Sequence, residues 1–487
     1  MSHVLFPVLD AFAGVRVLVI GEAMLDSYLN GHSERLCREA PVPVVDVFDR
    51  RDVPGGGANT AVNAAALGAR VTFLSVVGAD DEAERLATTL TALGIAADGL
   101  LRDPQRRTLV KQRVLAGGQI LLRLDAGSRD ELGATAEAEL VARVRRAWRE
   151  VDAVIVSDYG YGVLTRGVIA EIAALQAAER RVLVVDGKDL RRLARTRPTA
   201  CKPNYCEAAR LLGLTNGHGE ARVEQIAAHE AELLELTGAR VAAVTLDASG
   251  ALVFETGQPA YRTYTRPSSD ANATGAGDTF VSALALALAA GAATHASADL
   301  ASSAATVVVG RNGTTACSAA ELRVFLAAQD KVLAVDDLAV LADGLHRAGK
   351  RVVFTNGCFD ILHRGHITCL SRAKALGDVL IVGLNSDASV GRLKGPTRPI
   401  NRAADRAQVL AALSCVDHIV EFAEDTPARL IELARPDIYV KGGDYSLATL
   451  PEAPLVASFG GEVSFLPYLD DFSTTGILAR IGARSGG

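Results

Sequence analysis

The sequence predicts an α/β protein made of two successive parallel-sheet domains, the first carrying a small extra β layer. Its 487 residues exceed an ordinary single domain of roughly 100–200. Short aliphatic runs alternate with alanine-rich helical stretches, the pattern of strands covered by helices on both faces. That rhythm fades near residue 330 and restarts near 350.

In chain order, residues 17–20, 71–74, 153–156, 182–185 and 241–244 read as buried strands, with helical patterns at 58–67 and 135–148. Two stretches, 35–52 and 107–125, break the alternation. Val42, Val44, Val45 and Val47, then Leu109, Val114, Leu121 and Leu122, read as strands outside the main sheet, forming a small β lid. A second series follows at 352–354, 379–382, 419–422, 438–440 and 463–466. On this reading the first domain spans 1–330 and the second 340–487.

Composition narrows the function. A net charge of −6 offers no basic footprint for nucleic acid. Arg143, Arg145, Arg146 and Arg149 read as one solvated helix face. The seven cysteines are odd in number and form no Cys-x-x-Cys pair, which suggests neither a disulfide framework nor a zinc site. The longest apolar run, 283–293, falls short of the ~20 residues a membrane span needs, and no leader pattern opens the chain. A cytoplasmic protein with neither membrane nor nucleic-acid partners is expected.

The first chemical signal is Thr274-Gly275-Ala276-Gly277-Asp278, a glycine turn entering a helix. Such a turn exposes unpaired N–H groups at the positive helix end and suits a transferred phosphoryl group. Asp278 stands where it can take a proton from an attacking hydroxyl. Gly55-Gly56-Gly57-Ala58-Asn59 precedes a helix carrying Asn63 and allows close approach of a polyol. Asn204 and Glu207 carry an amide and a carboxylate at a spacing suited to hydrated Mg²⁺, and equally to a helix cap. Gly160 and Gly162 follow a strand, where open α/β sheets bind ligands.

Together these motifs resemble the ribokinase-like (PfkB) sugar kinases over about residues 14–327. The resemblance implies Asp278 as base, and Gly275, Ala276, Gly277, Thr245 and Gly250 on the ATP side. It also implies Asn204 and Glu207 toward Mg²⁺, and Asp26, Gly56 and Asn59 toward the sugar. Lys111-Gln112-Arg113-Val114 and Leu121-Leu122-Arg123-Leu124-Asp125 are similar to the heptose 7-phosphate kinase branch. By that likeness Lys111 and Arg113 would meet the substrate phosphate, and the lid would join two copies into a homodimer. One departure stands out: Asn272 occupies a position that the family fills with aspartate, which bears on kinase efficiency rather than fold.

The second signal is Asn356-Gly357-Cys358-Phe359-Asp360-Ile361-Leu362-His363-Arg364-Gly365-His366, a strand running through a glycine turn to paired histidines at a helix start. Histidines and a helix N-terminus can hold a triphosphate. A metal pair is the alternative, but no third clustered ligand accompanies it. Residues 344–350 have P-loop spacing, yet Arg351 replaces the Ser/Thr and a strand follows rather than precedes. That segment reads as a helix end.

Residues 349–483 resemble the HxGH nucleotidylyltransferases, whose fold is Rossmann-like. By that resemblance His363, His366 and Lys394 neutralise phosphate charge. Asn356, Gly357, Phe359, Ser473 and Thr474 would hold ATP, and Asp360, Lys441 and Asp444 would hold the sugar phosphate. In order, these motifs are similar to a heptose 1-phosphate adenylyltransferase domain. The pairing of halves resembles the fused family of ADP-heptose synthesis, implying sugar phosphates, ATP and Mg²⁺ as ligands. ATP against CTP stays open at this stage. So do a different sugar phosphate pair and a first half serving mainly as a dimerisation scaffold.

Overall fold

The computed structural model describes residues 2–263, 275–309, 311, 315–329, 331–442 and 449–466. The chain divides into two compact units, Met1–Ala327 and Ala328–Gly487.

Strands of the first unit are β1 (Arg16–Gly21), β2 (Ala23–Leu36), β3 (Pro43–Gly56), β4 (Arg70–Gly78), β5 (Leu100–Asp103), β6 (Leu109–Ala116) and β7 (Gln119–Ala126). They continue as β8 (Ala153–Asp158), β9 (Val182–Gly187), β10 (Ala200–Cys201), β11 (Val241–Thr245), β12 (Ala251–Glu255) and β13 (Tyr261–Thr263). The main sheet runs β13-β12-β11-β10-β9-β8-β1-β4-β5. Its pairings are parallel from β11 to β5, while β12 and β13 are antiparallel.

Helices bury both faces, so strand residues divide by parity between two cores. Val17 and Val19 of β1 join one apolar cluster, and Leu18 and Ile20 join the other. Each such fully buried aliphatic side chain contributes about 1.5–3 kcal/mol relative to exposure. The alanine-rich run belongs to helix Ala276–Ala289, buried at every residue from Asp278 to Leu288. A helix apolar all round is a core helix.

The lid is a separate sheet ordered β3-β2-β6-β7. It is larger than the sequence reading proposed, because β2 starts at Ala23, with only Glu22 between it and the end of β1. Residues 23–36 contain no Val, Ile or Thr, so local strand preference does not announce them. Pairing with β3 and β6 imposes the conformation.

The second unit holds β14 (Val332–Leu333), β15 (Val352–Gly357), β16 (Val379–Asn385), β17 (His418–Phe422), β18 (Ile438–Gly442) and β19 (Glu462–Leu466). Its sheet, β14-β17-β16-β15-β18-β19, is wholly parallel. Parity again divides β15, with Val353 in one core and Val352 and Phe354 in the other. Strand order reverses at β15, which lies between β16 and β18, and such a switch point opens a crevice at the strand ends. Residues between the two sequence-read domains form β14 and helix Val335–Arg347, both part of this unit. That helix ends within the segment of P-loop spacing and a strand follows it. Among the described residues, no helix is long and apolar enough to cross a membrane.

Candidate active sites

The first cleft lies past the C-terminal ends of β8, β9 and β10, against the start of helix Ala276–Ala289. Its volume is about 190 Å³, and Asp158, Tyr159, Asp186, Lys202, Glu207 and Asp278 are among its lining residues. Gly275 caps the helix with φ 88°, a left-handed conformation that favours glycine.

Asp278 is buried in that helix's first turn. Its carboxylate accepts hydrogen bonds from Asn59 Nδ2 at 2.6 Å, Tyr159 Oη at 2.8 Å and Thr60 Oγ1 at 3.3 Å. Burial pushes its pKa up, and these donors with Lys202 pull against that rise. Asn59 is thus committed within the protein, its Oδ1 also accepting from Asn63 Nδ2 at 3.2 Å. Gly56, the cap before helix Gly57–Ala66, has φ 58°, and a Cβ there would lie 2.7 Å from the Glu22 carbonyl oxygen.

Asn204 and Glu207 form a reciprocal capping box on helix Tyr205–Leu211. Asn204 Oδ1 accepts from Glu207 N at 2.9 Å, and Glu207 Oε2 accepts from Asn204 N at 2.9 Å. The helix-cap alternative is therefore realised, while both residues still border the cleft. The capping box uses Oε2, which leaves Glu207 Oε1 for a hydrated cation. Among the described residues no group of three His, Cys, Asp or Glu could chelate one directly. Thr245 ends β11 beside Asn204, and Gly250 turns the chain with φ 83°. Neither borders the cleft described above. Thr274 and Asn272 lie outside the described residues.

On the lid, Asp26 and Lys111 are register partners, and Arg113 follows two residues later on β6. Arg113 Nη1 donates to Asp26 Oδ1 at 2.8 Å, and both side chains are largely buried. Lys111 Nζ stands 5.6 Å from the Tyr159 ring centre and 5.9 Å from that of Tyr161. The lid thus carries its cations to the tyrosine loop that supports Asp278. Motif reading missed Glu22 and Tyr159. Glu22 is fully buried and accepts N–H bonds from Tyr159 at 2.7 Å, Tyr161 at 3.2 Å and Val163 at 3.3 Å. Burial, with Asp158 nearby, pushes its carboxyl up to about 7. A charge inside the apolar run around Gly21 and Met24 was the available signal.

The second cleft occupies the switch point beside β15, with a volume of about 420 Å³. Asn356, Gly357, Phe359, Asp360, His363, His366, Lys394 and Lys441 all line it. The two imidazoles stack with ring centres 3.8 Å apart, and the Phe359 ring meets His366 edge-on at 5.2 Å. His363 caps helix Arg364–Lys374 without a side-chain bond to it. Nδ1 of both histidines is buried and lacks a partner among the described residues. Burial, His363 and Lys394 push His366 down to about 4, and burial then Lys394 lower His363. Two neutral imidazoles with unused nitrogens suit an anionic ligand that restores their proton affinity.

Lys394, at the C-terminus of helix Asp387–Lys394, is exposed on the cleft rim. Asn356 Oδ1 accepts from Tyr439 Oη and Lys441 Nζ, each at 2.9 Å. Asp360, expected toward the substrate, has its carboxylate occupied within the fold by Arg398 and by the N–H groups of Ile400 and Asn401. Arg406, buried and unremarked in the sequence, donates to the Cys358 carbonyl at 2.6 Å and to Asp387 at 2.7 Å. These two residues frame the histidine loop. Asp444, Ser473 and Thr474 lie outside the described residues.

Comparisons with known proteins follow the same division. The model of the pfkB family carbohydrate kinases matches residues 15–321, and a cytidylyltransferase-like model matches residues 354–460. The chain is 41% identical to the bifunctional protein HldE of Geobacter sulfurreducens over 97% of each chain. It is 42% identical to that of Pseudomonas aeruginosa (strain LESB58) over 96% of this chain and 98% of the relative. Among solved structures, Arabidopsis thaliana ribokinase, described as complexed with ribose and ATP, matches with a TM-score of 0.51 at 20% identity. It covers 64% of this chain and 98% of its own. Escherichia coli phosphofructokinase-2, described in complex with potassium, matches over the same shares with a TM-score of 0.53 at 20% identity. At that identity the likeness concerns the fold of the first unit.

Proposed function

The chain belongs to the family of bifunctional HldE proteins, and we propose from that premise that it phosphorylates heptose 7-phosphate and adenylylates heptose 1-phosphate. It is an enzyme with a kinase unit and a nucleotidyltransferase unit. The observation that carries the reading is that each unit has its own cleft lined by one of the two residue sets. One offers a buried carboxylate at a helix N-terminus, and the other a neutral histidine pair at another.

In the kinase unit, Asp278 takes the proton of the sugar hydroxyl as that oxygen attacks the γ-phosphorus of ATP. The bond to ADP breaks, and the N–H groups of the glycine turn meet the developing charge. Glu207, with Asn204 capping beside it, would hold hydrated Mg²⁺, which supplies charge neutralisation on the phosphates. Lys111 and Arg113 receive the 7-phosphate. In the transferase unit, the sugar 1-phosphate oxygen attacks the α-phosphorus of ATP, and pyrophosphate leaves. His363, His366 and Lys394 hold the phosphates in line, and neither unit needs a covalent enzyme intermediate. The soluble substrates agree with a cytoplasmic setting.

The lid supports a homodimer. All eight residues of β7 are exposed, and Leu122 and Leu124 share one face at 52% and 47% exposure, with Ile120 at 57% beyond a bulge. Phe48 and Leu36 add 64% and 65% on the strands across the sheet. An exposed apolar sheet of this kind is a docking surface, and a second lid is self-complementary to it. Light scattering should give twice the chain mass, falling to one chain for Leu122→Asp. Function is tested with heptose 7-phosphate and heptose 1-phosphate, each supplied with ATP or CTP. Turnover with ATP on both sugars supports the proposal. Preference for CTP in the second reaction, or inactivity on the first sugar, overturns it.

A further inference from the structure

Lys202 sits where a buried cation is hardest to explain as packing. It follows β10 and is 5% exposed. Its Nζ lies 3.4 Å from the position a Cβ would take on Gly277, the second residue of helix Ala276–Ala289. The N-terminus of a helix carries partial positive charge, so an ammonium set against it is repelled unless an anion lies between. Asp186 Oδ2 stands 3.1 Å from Nζ, with side-chain exposures of 18% for the aspartate and 7% for the lysine. Asp186, with Glu207 and Asp278 nearby, keeps the ammonium charged, and the ammonium, the glycine-turn N–H groups and the helix end all converge on one 190 Å³ cleft. Asp278 borders the same space. The space between an ammonium, a helix N-terminus and a general base is where a phosphoryl group passes from donor to acceptor.

We propose that Lys202 is a catalytic residue of the kinase unit, its ammonium contacting the γ-phosphoryl group during transfer. The inference rests on the kinase reading given above and deepens it. As the sugar oxygen bonds to phosphorus and the bond to the ADP oxygen breaks, the hydroxyl proton passes to Asp278. Lys202 keeps its proton and neutralises charge on the equatorial phosphoryl oxygens. Asp186 positions it, accepting from Nζ so that the ammonium points at the helix start rather than along the sheet.

The competing explanation is structural: Lys202 merely neutralises Asp186, Glu207 and Asp278. Lys202→Met and the double variant Lys202→Met/Asp186→Asn separate the two. Both are assayed for kinase turnover and for nucleotidyl transfer, which reports separately on the second unit, with thermal unfolding followed alongside. Lys202→Met should lower kcat for sugar phosphorylation roughly 10²–10³-fold, comparable to loss of an oxyanion donor. KM for the sugar phosphate should stay within about twofold, because the lid cations remain. The acidic limb of its pH profile should move up, as Asp278 loses the positive charge that favours its ionised form. The double variant, which also removes the carboxylate paired with the ammonium, should remain as slow. Recovery of kcat in the double variant to within about threefold of wild type would show a structural ion pair and overturn the inference. So would a single variant that keeps kcat within that range. Should the single variant fail to fold, the double variant decides by the same threshold. Absence of sugar phosphorylation by the wild-type protein would instead remove the kinase reading itself, a result distinct from either.

Discussion

The two clefts solve the charge of a phosphate group from opposite directions. In the kinase unit, carboxylates dominate the lining: Asp158, Asp186, Glu207 and Asp278 face two lysines, Lys188 and Lys202. In the transferase unit, His363, His366, Lys394 and Lys441 line the cleft. Its lining acids are Asp360, Asp425 and Glu452; Asp360 is consumed by its own loop and Asp425 accepts from Arg392. The difference follows from the proton. Phosphorylating a hydroxyl requires a base at the attacking oxygen, so the first cleft must keep a carboxylate among its donors. A sugar 1-phosphate attacks as an anion already, so the second cleft needs only cations and N–H groups.

If that contrast holds, each cleft fails alone. The largest effect is expected for Asp278→Asn, which should lower sugar phosphorylation by about 10²–10⁴-fold and leave nucleotidyl transfer within twofold. Parallel loss of both activities in a folded protein would erase the division. Next, His366→Ala should lower kcat of nucleotidyl transfer roughly 10²–10³-fold with a smaller change in KM. His363→Ala should weigh more on ATP binding. Stoichiometric zinc that vanishes with His366→Ala would replace the phosphate role by a metal role.

The contrast should also appear in stability. Glu22 keeps its proton up to about pH 7 in the folded state, against 4.5 for the ordinary carboxyl. Its stabilising contribution is full below pH 4.5 and lost as pH rises through 7. His366, lowered to about 4 from 6.5, does the reverse. Its contribution is full above pH 6.5 and lost as pH falls through 4. Each swing amounts to roughly 3 kcal/mol. Unfolding of the two units measured between pH 4 and 7.5 should therefore show opposite slopes, flattened by Glu22→Gln in one and His366→Gln in the other. Slopes of one sign, indifferent to both substitutions, would contradict the burial argument. The smallest effect is assigned to Tyr159→Phe, which removes one hydrogen bond to a carboxylate worth about 1.5 kcal/mol. Kinase kcat at pH 6 should fall about tenfold, with the acidic limb of the profile moved up. An unshifted limb would detach Tyr159 from Asp278.

Much of this is legible in the sequence. The strands of both main sheets carry runs of Val, Ile and Leu because helices cover both faces, and burial makes that pattern loud. Asp278 and the histidine pair were legible because each sits in a contiguous turn-and-helix motif whose local geometry creates the anion site. What stayed hidden was assembled at a distance. Asn59 meets Asp278 across 219 positions, and Glu22 meets Tyr159 across 137. Arg406 looks like any exposed helical arginine until the fold seals it against Cys358 and Asp387. The lid was half seen for the same reason: β2 is a strand by virtue of its neighbours, not its residues.

Strand β2 leaves the main sheet across a single residue, and that residue is Glu22. The lid is therefore a lever whose fulcrum also grips the loop under the base. Any turn of the backbone at Glu22 would pull on the N–H groups of Tyr159, Tyr161 and Val163 that its carboxyl group holds. Tyr159 in turn holds Asp278. The start of the lid and the carboxylate of Asp278 are thus joined through two side chains, Glu22 and Tyr159, rather than through a relay along the sheet.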